Sequence, residues 1–387
     1  MKVCGVICEL NPFTLGHEYL FKNARSATGA DYIIAVLSGD FVQRGIPAIV
    51  DKYTRCTAAL NGGADLVIEL PAIYATASAD YFAYGGVTLL DSLGCVDFLV
   101  FGSESGDVDY LRSLSQRQVT SMLQEGISYP KAYSRLAGST VASNDMLGIR
   151  YIKSIDMRES NIKPVTIRRR GSAYLDEGAD SESAGAVRRR VFNKEEYAGL
   201  IPKYSYRGLQ SKNNLTFPIA SEDFSGQLYG ILDTLISKDE NLAEYMDSSL
   251  NIAGHIKSQF GNYLGYEQFV DLIHTKEYTK SRIYRALLHI MLDIKKTDYP
   301  EEIAECEAYY ARILGFRSGS SELLSHIKEL SVIPIISKAG DACKILDDEA
   351  MHIFNKDIHA ASLYESACAL KFKKSPTSDF AQQIVIV

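Results

Sequence analysis

The sequence lacks the features that mark membrane, secreted and metal-bound proteins. No run of eighteen consecutive apolar residues is present, so no segment is long enough to cross a bilayer as a helix. The first residues lead directly into a strand-like pattern, without the layout of a signal peptide. The seven cysteines are scattered and none forms a CxxC pair, which favours reduced thiols over disulfides or a zinc site. We therefore expect a cytoplasmic protein with no membrane partner and no resident metal.

Two common signatures of nucleotide binding are also missing. The absence of GxGxxG counts against NAD or FAD, and the absence of GxxxxGK[ST] excludes a P-loop. Histidine is scarce, since His17 is the only one before His255. The net charge of −7 counts mildly against nucleic acid as a bulk property, but binding depends on local patches. Basic residues do cluster, in the triplets 168–170 and 188–190 and in a group further along: Lys276, Lys280, Arg282 and Arg285.

The first hundred residues alternate short apolar runs with helical spacing. This βαβα order predicts an α/β fold with a doubly wound parallel sheet and right-handed crossovers. The predicted strands are Val3–Leu10, Tyr32–Ser38, Asp65–Leu70, Val96–Phe101 and, further on, Pro164–Arg169. The predicted helices between the first four are Glu18–Ala27, Lys52–Asn61 and Ala75–Leu93. Ligands of such sheets bind beyond the carboxyl ends of the strands.

The turn Asn11–His17 is the most informative segment at that edge. It joins the first strand to the first helix, and the exposed amides of a helix N-terminus bind phosphate well. His17 can donate a hydrogen bond to a phosphate oxygen. Lys52 and Arg55, near the start of the second helix, could reach phosphates or only solvent, and Arg188 opens a later helix. The sequence thus predicts adenylyl transfer, in which an acid attacks the α-phosphorus of ATP and positioning and charge stabilisation carry catalysis.

The second half is mainly helical in pattern. Residues 107–163 are predicted to be helical, 171–185 to form a polar loop and 185–192 to open another helix. After Pro202 the predicted helices are Phe224–Ile236, Glu267–His274, Lys280–Ile294 and Ile303–Leu314. We place the boundary so that residues 1–205 form an ATP-binding catalytic domain and residues 206–387 a mostly helical domain with a candidate nucleic-acid surface. Basic residues with interleaved tyrosines, as around Lys280, suit a phosphate backbone and an unstacked base.

Specific segments give the chain a recognisable resemblance. The turn Asn-Pro-Phe-x-x-Gly-His resembles the HxGH signature of the Rossmann-like nucleotidylyltransferase superfamily. The other segments resemble one family in it, the tRNA(Met) cytidine acetate ligases. These segments are Glu9–Phe13, Ser38–Gly45, Asp65–Pro71, Phe101–Glu104, Asn144–Ile149 and Tyr278–Ile283. The resemblance implies an ATP-dependent ligase that forms acetyl-adenylate and then acetylates N4 of the wobble cytidine of elongator tRNA(Met), with Mg²⁺ accompanying ATP.

The resemblance also implies site residues. Catalytic roles fall to His17, Thr14 and Arg188. The implied ATP contacts are Ile7, Glu9, Asn11, Pro12, Phe13, Gly16, His17, Leu20, Gly102, Asn144, Arg168, Arg169 and Arg188. The implied tRNA contacts are Lys276, Lys280, Arg282 and Arg285.

This chain departs from the family pattern at three places. Thr14 replaces the first His of HxGH, Asp145 replaces the second Asn of an Asn-Asn pair, and Gly185 and Ala186 replace two hydroxyl residues before Arg188. Two alternatives therefore stay open. One is a nucleotidylyltransferase acting on a small metabolite, and the other is a catalytically weakened nucleotide- or RNA-binding paralogue.

Overall fold

A mostly parallel sheet forms the centre of the protein in the computed structural model, which describes residues 1–117, 129–138, 140–169 and 183–387. Two further short strands form a separate hairpin. In chain order the strands are β1 Val3–Cys8, β2 Tyr32–Ser38, β3 Phe41–Val42, β4 Ile46–Pro47, β5 Leu66–Leu70, β6 Phe98–Ser103, β7 Lys163–Arg168, β8 Ala311–Phe316, β9 Ile335–Ile336 and β10 Val385–Ile386.

Helices cover both faces of the sheet and make up most of the second half. In the first half they are α1 Leu15–Thr28, α2 Lys52–Gly62, α3 Ala72–Ala75, α4 Ala79–Ser92, α5 Val108–Ser115, α6 Tyr129–Ala137, α7 Ser143–Met157 and α8 Ala184–Phe192. The second half has α9 Lys203–Ser211, α10 Ser225–Ser237, α11 Leu250–Gln259, α12 Tyr266–Ile273, α13 Lys280–Met291, α14 Ser321–Leu330, α15 Ala342–Ile345 and α16 Asp348–Phe372. No helix of the described residues is long and apolar enough to cross a membrane.

The strand order sets the position of the ligand crevice. Along the main path the order is β10-β8-β5-β2-β1-β6-β7, with β9 beside β8. The strands β1, β2, β5, β6 and β7 run parallel. The chain winds outward from β1 through β2 to β5 and then returns to place β6 on the other side of β1. Doubly wound sheets bind ligands at such a reversal, so the crevice lies where the loops after β1 and β6 meet.

Alternating side chains of the strands form two cores. One set, which includes Ile34, Val36 and Ile68, packs against α4 and α7. The other set, with Cys4 and Leu37 among it, packs against α1 and α2. Because both faces are covered, the strands are apolar at nearly every position, as parallel sheets require. Burial raises the pKa of Cys4 to about 12, so this thiol is an inert part of the core.

The structure confirms the doubly wound fold and most of the predicted elements. Strand β2 has the predicted bounds. The bounds of β5, β6 and β7 differ from the predicted ones by at most two residues at either end. The predicted helix Ala75–Leu93 is instead two helices, α3 and α4, with a break at Thr76–Ser78. The predicted helical region 107–163 contains α5, α6 and α7 and ends where β7 begins at Lys163, while residues 118–128 and 139 of that prediction lie outside the described residues. Most of the predicted loop 171–185 lies outside the described residues, while its end, from Ala184, already belongs to α8.

The prediction of a helix over Ile303–Leu314 is wrong. A single 3-10 turn covers Ile303–Glu305, and Ala311–Phe316 forms β8, antiparallel to β5. The segment is a strand because β5, β9 and β10 all pair with it, and Arg312 lies opposite Glu69 in an ion pair at 3.1 Å. Strands β8 and β10 come from the second half of the chain, so the sheet draws on both sides of the expected boundary near residue 205.

Candidate nucleotide-binding site

The turn after β1 brings the start of helix α1 to the ligand crevice. Thr14 is the N-cap residue, it is buried, and α1 begins at Leu15. The amides of the first helical turn therefore lie at the carboxyl edge of the sheet, with the positive end of the helix dipole. The sequence predicts an anion site at this position.

His17 is held by the same N-cap residue. Its Nδ1 lies 3.0 Å from the backbone nitrogen of Thr14 and 3.2 Å from Thr14 Oγ1. The backbone N–H can only donate, so Nδ1 accepts and the proton of the neutral ring lies on Nε2. Burial, with a smaller contribution from the nearby Arg169 guanidinium, lowers the pKa of His17 to about 4. At neutral pH His17 thus presents a neutral Nε2–H donor. Thr14 replaces the first histidine of HxGH but keeps the second one oriented.

Phe13 anchors the turn from behind. Its ring packs between Phe21 and Tyr204, each with ring centroids 6.0 Å away, and it fits against Gly62, where any Cβ would clash at 2.3 Å. Its carbonyl accepts a hydrogen bond from Ser205 at 3.0 Å. Helix α9, which straddles the predicted boundary at residue 205, therefore supports the turn directly.

Arg188 reaches the turn from helix α8. Ser183 caps that helix by accepting from the amide of Ala186 at 3.1 Å, and the guanidinium of Arg188 donates to the carbonyl of Asn11. Burial lowers the pKa of Arg188, Glu9 opposes this shift, and the charge of Arg44 adds to it. The structure thus brings Arg188 to the turn as predicted and leaves its remaining donors for an anion.

The loop after β6 forms the other wall of the crevice. The side chain of Arg169 lies along Gly102, since a Cβ there would be 3.6 Å from Arg169 Cγ. Asp145 is buried and closes this loop by accepting from Ser103 Oγ, from the amide of Glu104 at 3.0 Å and from that of Ser105 at 3.1 Å. The carboxylate that departs from the family pattern is therefore held by hydrogen bonds from the β6 loop.

The other predicted ATP contacts have varied surroundings. Asn144 donates to Glu104 at 2.6 Å, and Arg168 packs against Gly106 at the surface. Asn11 is buried, and its Oδ1 accepts from the amide of Ile49 at 2.8 Å. Its Nδ2 has no hydrogen-bond partner among the residues that the structure describes. Four further residues differ in exposure: Ile7 and Pro12 are buried, Leu20 is partly buried and Gly16 is exposed.

Lys52 and Arg55 have a different role from either one that the sequence allowed. Both are only 1% exposed, so neither reaches solvent. Lys52 pairs with Glu69 at 2.8 Å and with Asp379 at 3.0 Å. Its ammonium group is thus occupied within the protein.

Arg55 joins the loops that surround the site. Its guanidinium donates to the carbonyls of Glu9 at 2.8 Å, Ser38 at 3.0 Å and Val50 at 3.1 Å, and also to that of Gly39. Glu9 follows β1, Ser38 and Gly39 lie at the end of β2, and Val50 precedes α2. Arg55 therefore fixes the spacing of the loops after β1 and β2. Sequence reasoning missed this role, and an arginine among the apolar residues of α2 was its only signal.

The basic group predicted to bind tRNA lies on and before helix α13. Lys276 and Lys280 are exposed, and Lys280 pairs with Asp271 at 2.5 Å. Arg282 stacks over the Tyr278 ring at 5.0 Å. Arg285 is largely buried in a two-point ion pair with Asp247, at 2.8 and 2.9 Å. The four residues share one region, but their side chains differ in how free they are to meet a ligand.

A parallel sheet whose first strand leads through a Pro-Gly-His turn into a helix is the arrangement of a nucleotidyl transferase, and the model of the family HIGH Nucleotidyl Transferase matches residues 1–379. A tRNA(Met) cytidine acetate ligase of Clostridium perfringens is 35% identical over 399 aligned residues, covering 94% of this chain and 95% of the relative. One of Acetivibrio thermocellus is 35% identical with both chains fully covered. The crystal structure of Thermotoga maritima TmcAL bound with alpha-thio ATP has a TM-score of 0.88, 28% identity and full coverage of both chains. The chain belongs to the HIGH nucleotidyl transferase family and, within it, to the family of the tRNA(Met) cytidine acetate ligases.

Proposed function

We propose that this chain is an ATP-dependent ligase that activates acetate as acetyl-adenylate and acetylates N4 of the wobble cytidine of elongator tRNA(Met). One observation carries the proposal: His17 Nε2–H, Arg169 and Arg188 gather around the start of α1. Three donors at a helix N-terminus suit the phosphates of ATP. The names of the relatives supply the acid and the tRNA.

The reaction needs positioning more than covalent chemistry by the protein. An oxygen of acetate attacks the α-phosphorus, a new O–P bond forms, and the bond to pyrophosphate breaks. Negative charge builds on the phosphoryl oxygens and the leaving pyrophosphate, where fixed donors stabilise it. The N4 lone pair of cytidine then attacks the acetyl carbon, AMP leaves, and N4 loses one proton. We assign the donor roles to His17 and Arg188, with Thr14 holding the imidazole.

Among the residues that the structure describes, the side chains around the turn offer no cluster of metal ligands. Arg44, Arg169 and Arg188 are cations, and the described part of the chain contains no group of three His, Cys, Asp or Glu side chains that could hold a metal. Mg²⁺ binds proteins through few carboxylates and keeps phosphates as ligands. Mg²⁺ therefore enters the proposal only as the ion that accompanies the phosphates of ATP.

The region before and on α13 supports the tRNA part of the proposal. Exposed Lys276 and Lys280 offer charge to a phosphate backbone, and Tyr278 with Arg282 offers a flat surface to an unstacked base. Arg285 contributes by orienting α13 through Asp247. All seven cysteines are free, which supports a reaction in the reducing cytoplasm.

Mass spectrometry of nucleosides tests the proposal directly. The chain is incubated with ATP, acetate and elongator tRNA(Met), and the expected product is N4-acetylcytidine. Acetate-dependent exchange of pyrophosphate into ATP tests the first step by itself. Exchange with another acid and not with acetate would favour a transferase for a small metabolite. Absence of any exchange would favour a binding protein without catalysis.

A matched pair of variants tests the site. Arg188→Ala should lower exchange at least tenfold, since a hydrogen bond to a charged group contributes about 1.5–3 kcal/mol. Arg189→Ala removes an exposed arginine from the same helix and should leave exchange within twofold. Equal loss in both variants would mean that helix α8, rather than Arg188, is what the site needs.

A further inference from the structure

The hairpin of β3 and β4 lies between the nucleotide site and helix α13. Its turn is Gln43-Arg44-Gly45, closed by a hydrogen bond from the Gly45 amide to the Val42 carbonyl at 2.8 Å. This turn belongs to the family-like segment Ser38–Gly45, to which sequence reasoning gave no function.

The first residue of this turn is fixed to the nucleotide side. The amide of Gln43 donates to Glu9 Oε1 at 2.8 Å. Glu9 directly follows β1, and against the larger effect of burial its negative charge acts to raise the pKa of Arg188. The Gln43 side chain donates to the carbonyl of Ala77 at 3.1 Å. The turn therefore cannot move independently of the loop that carries the phosphate site.

The third residue is fixed to helix α13. Gly45 has φ of +76°, and a Cβ there would lie 2.3 Å from the Arg285 nitrogen and 2.6 Å from the Tyr284 carbonyl carbon. Glycine is thus required both by its backbone conformation and by direct backbone contact with α13. The turn joins the nucleotide site to the helix proposed to bind tRNA.

Arg44 stands between these two anchors and is exposed. No carboxylate or other hydrogen-bond partner reaches its side chain within the residues that the structure describes, whereas Arg285 is paired with Asp247. Its charge is close enough to Arg188 to lower the pKa of that group, after the larger effect of burial. An exposed guanidinium that is carried on an anchored turn, has no acidic partner among the described residues and lies near a second guanidinium is suited to a polyanion.

We propose that Arg44 binds a backbone phosphate of the tRNA close to the cytidine that is acetylated, at the junction of the nucleotide site and α13. The assignment to tRNA, rather than to ATP, follows from its exposure and from its place on the α13 side of the partly buried Arg188. The inference rests on the proposed function for the identity of the RNA. It makes Arg44 a binding residue that helps to bring the base to the acetyl-adenylate.

Direct tRNA binding by the full-length chain tests the proposal without requiring activity. Arg44→Ala should weaken the Kd for elongator tRNA(Met) about tenfold, the lower end of what a hydrogen bond to a charged group contributes. The slope of log Kd against log salt should fall by about 0.7, the value for one phosphate contact with a single strand. Arg44→Lys should recover part of both, and Arg44→Glu should weaken binding further. Arg317→Ala is the control, because Arg317 is exposed beside Asp65 at the opposite edge of the sheet.

Acetate-dependent pyrophosphate exchange without tRNA separates the two possible phosphate sources. The proposal expects Arg44→Ala to lower acetylation of tRNA at subsaturating tRNA much more than exchange. An equal loss of exchange would overturn it in favour of a contact with ATP. An unchanged Kd and salt slope would overturn it as well. Failure of the wild-type chain to acetylate tRNA would count against the proposed function alone, since the binding measurement would still decide the role of Arg44.

Discussion

Replacing His17 by asparagine or by glutamine separates the work of its two ring nitrogens. Nδ1 accepts from the Thr14 amide at 3.0 Å, and Nε2 carries the proton offered to phosphate. Asparagine keeps an oxygen near the position of Nδ1 and loses the donor. Glutamine at this third helical position completes a Thr-x-x-Gln capping box, in which its Oε1 accepts from the Thr14 amide and its Nε2 keeps an N–H donor. We expect His17→Asn to keep the helix start and lose exchange, and His17→Gln to keep the helix start and part of the exchange.

The magnitudes follow from the contacts. Loss of a hydrogen bond to a charged phosphate costs about 1.5–3 kcal/mol, so His17→Asn should slow pyrophosphate exchange about 10- to 150-fold. Both variants keep an acceptor for the Thr14 amide, so each should leave the free energy of unfolding within about 1 kcal/mol of wild type, the value of a helix N-terminal contact. Exchange at saturating acetate and urea unfolding at pH 7 measure the two effects.

The pH dependence of stability provides an independent measurement. The pKa of His17 is about 4 in the folded chain and ordinarily 6.5, so the unfolded chain binds more protons between these values. Stability contributed by His17 is therefore lost as the pH falls through this range, by about 2 kcal/mol at pH 5. His17→Asn should lack this loss, so the difference between variant and wild type should shrink or reverse in urea unfolding at pH 5.

Two results would refute this reasoning. The first is an NMR titration of the free enzyme in which the imidazole signal absent from His17→Asn titrates near 6.5. The second is a nitrogen-detected spectrum that places the proton on Nδ1. Either would mean that His17 is not the neutral Nε2–H donor that the contact with Thr14 implies.

Three further changes test the supporting structure. Arg55→Lys cannot reach all four carbonyls, so urea unfolding should show a loss of about 2–4 kcal/mol and ATP binding should weaken; wild-type stability would contradict the role given to its guanidinium. Asp379→Asn should lower the free energy of unfolding by about 3–5 kcal/mol, because it leaves the buried Lys52 and Arg312 to share the carboxylate of Glu69. Adding Lys52→Met should recover at least about 1 kcal/mol of that loss, and strictly additive effects would refute the linkage. Asp145→Ala should speed hydrogen exchange at the amides of Glu104 and Ser105 and raise the KM for ATP. Unchanged hydrogen exchange at these amides would show that the β6 loop keeps its conformation without Asp145.

The predictable part of the fold is the part specified by local pattern. Continuous apolar runs marked β1, β2, β5 and β6, and the helical spacing between them marked α1 and α2, because a parallel sheet buries both faces. The Asn11–His17 turn followed from the same pattern, since a turn between a first strand and a helix has only one edge to occupy. Arg188 could be assigned to that edge only through the family resemblance.

The unpredictable part depends on partners distant in sequence. Ala311–Phe316 has helical spacing with its neighbours, and its pairing with β5, β9 and β10 makes it a strand. The sequence left Lys52 open between a phosphate contact and solvent, because nothing local shows that it pairs with Asp379. Asp145 was only a departure from the family pattern, because nothing local shows the loop amides from which it accepts. Tertiary contacts overrode the local reading in each case.

The pairing of Lys52 with Asp379 also has a consequence for the order of synthesis. Strand β5 is made early, yet its outer edge receives β8 only after residue 316. The buried Lys52 of α2 receives its second carboxylate, Asp379, only near the C-terminus. Until then the nascent chain presents an open strand edge, which is a site for wrong pairing. A chain that ends before Asp379 should therefore aggregate on the ribosome or soon after release, however complete its nucleotide half is.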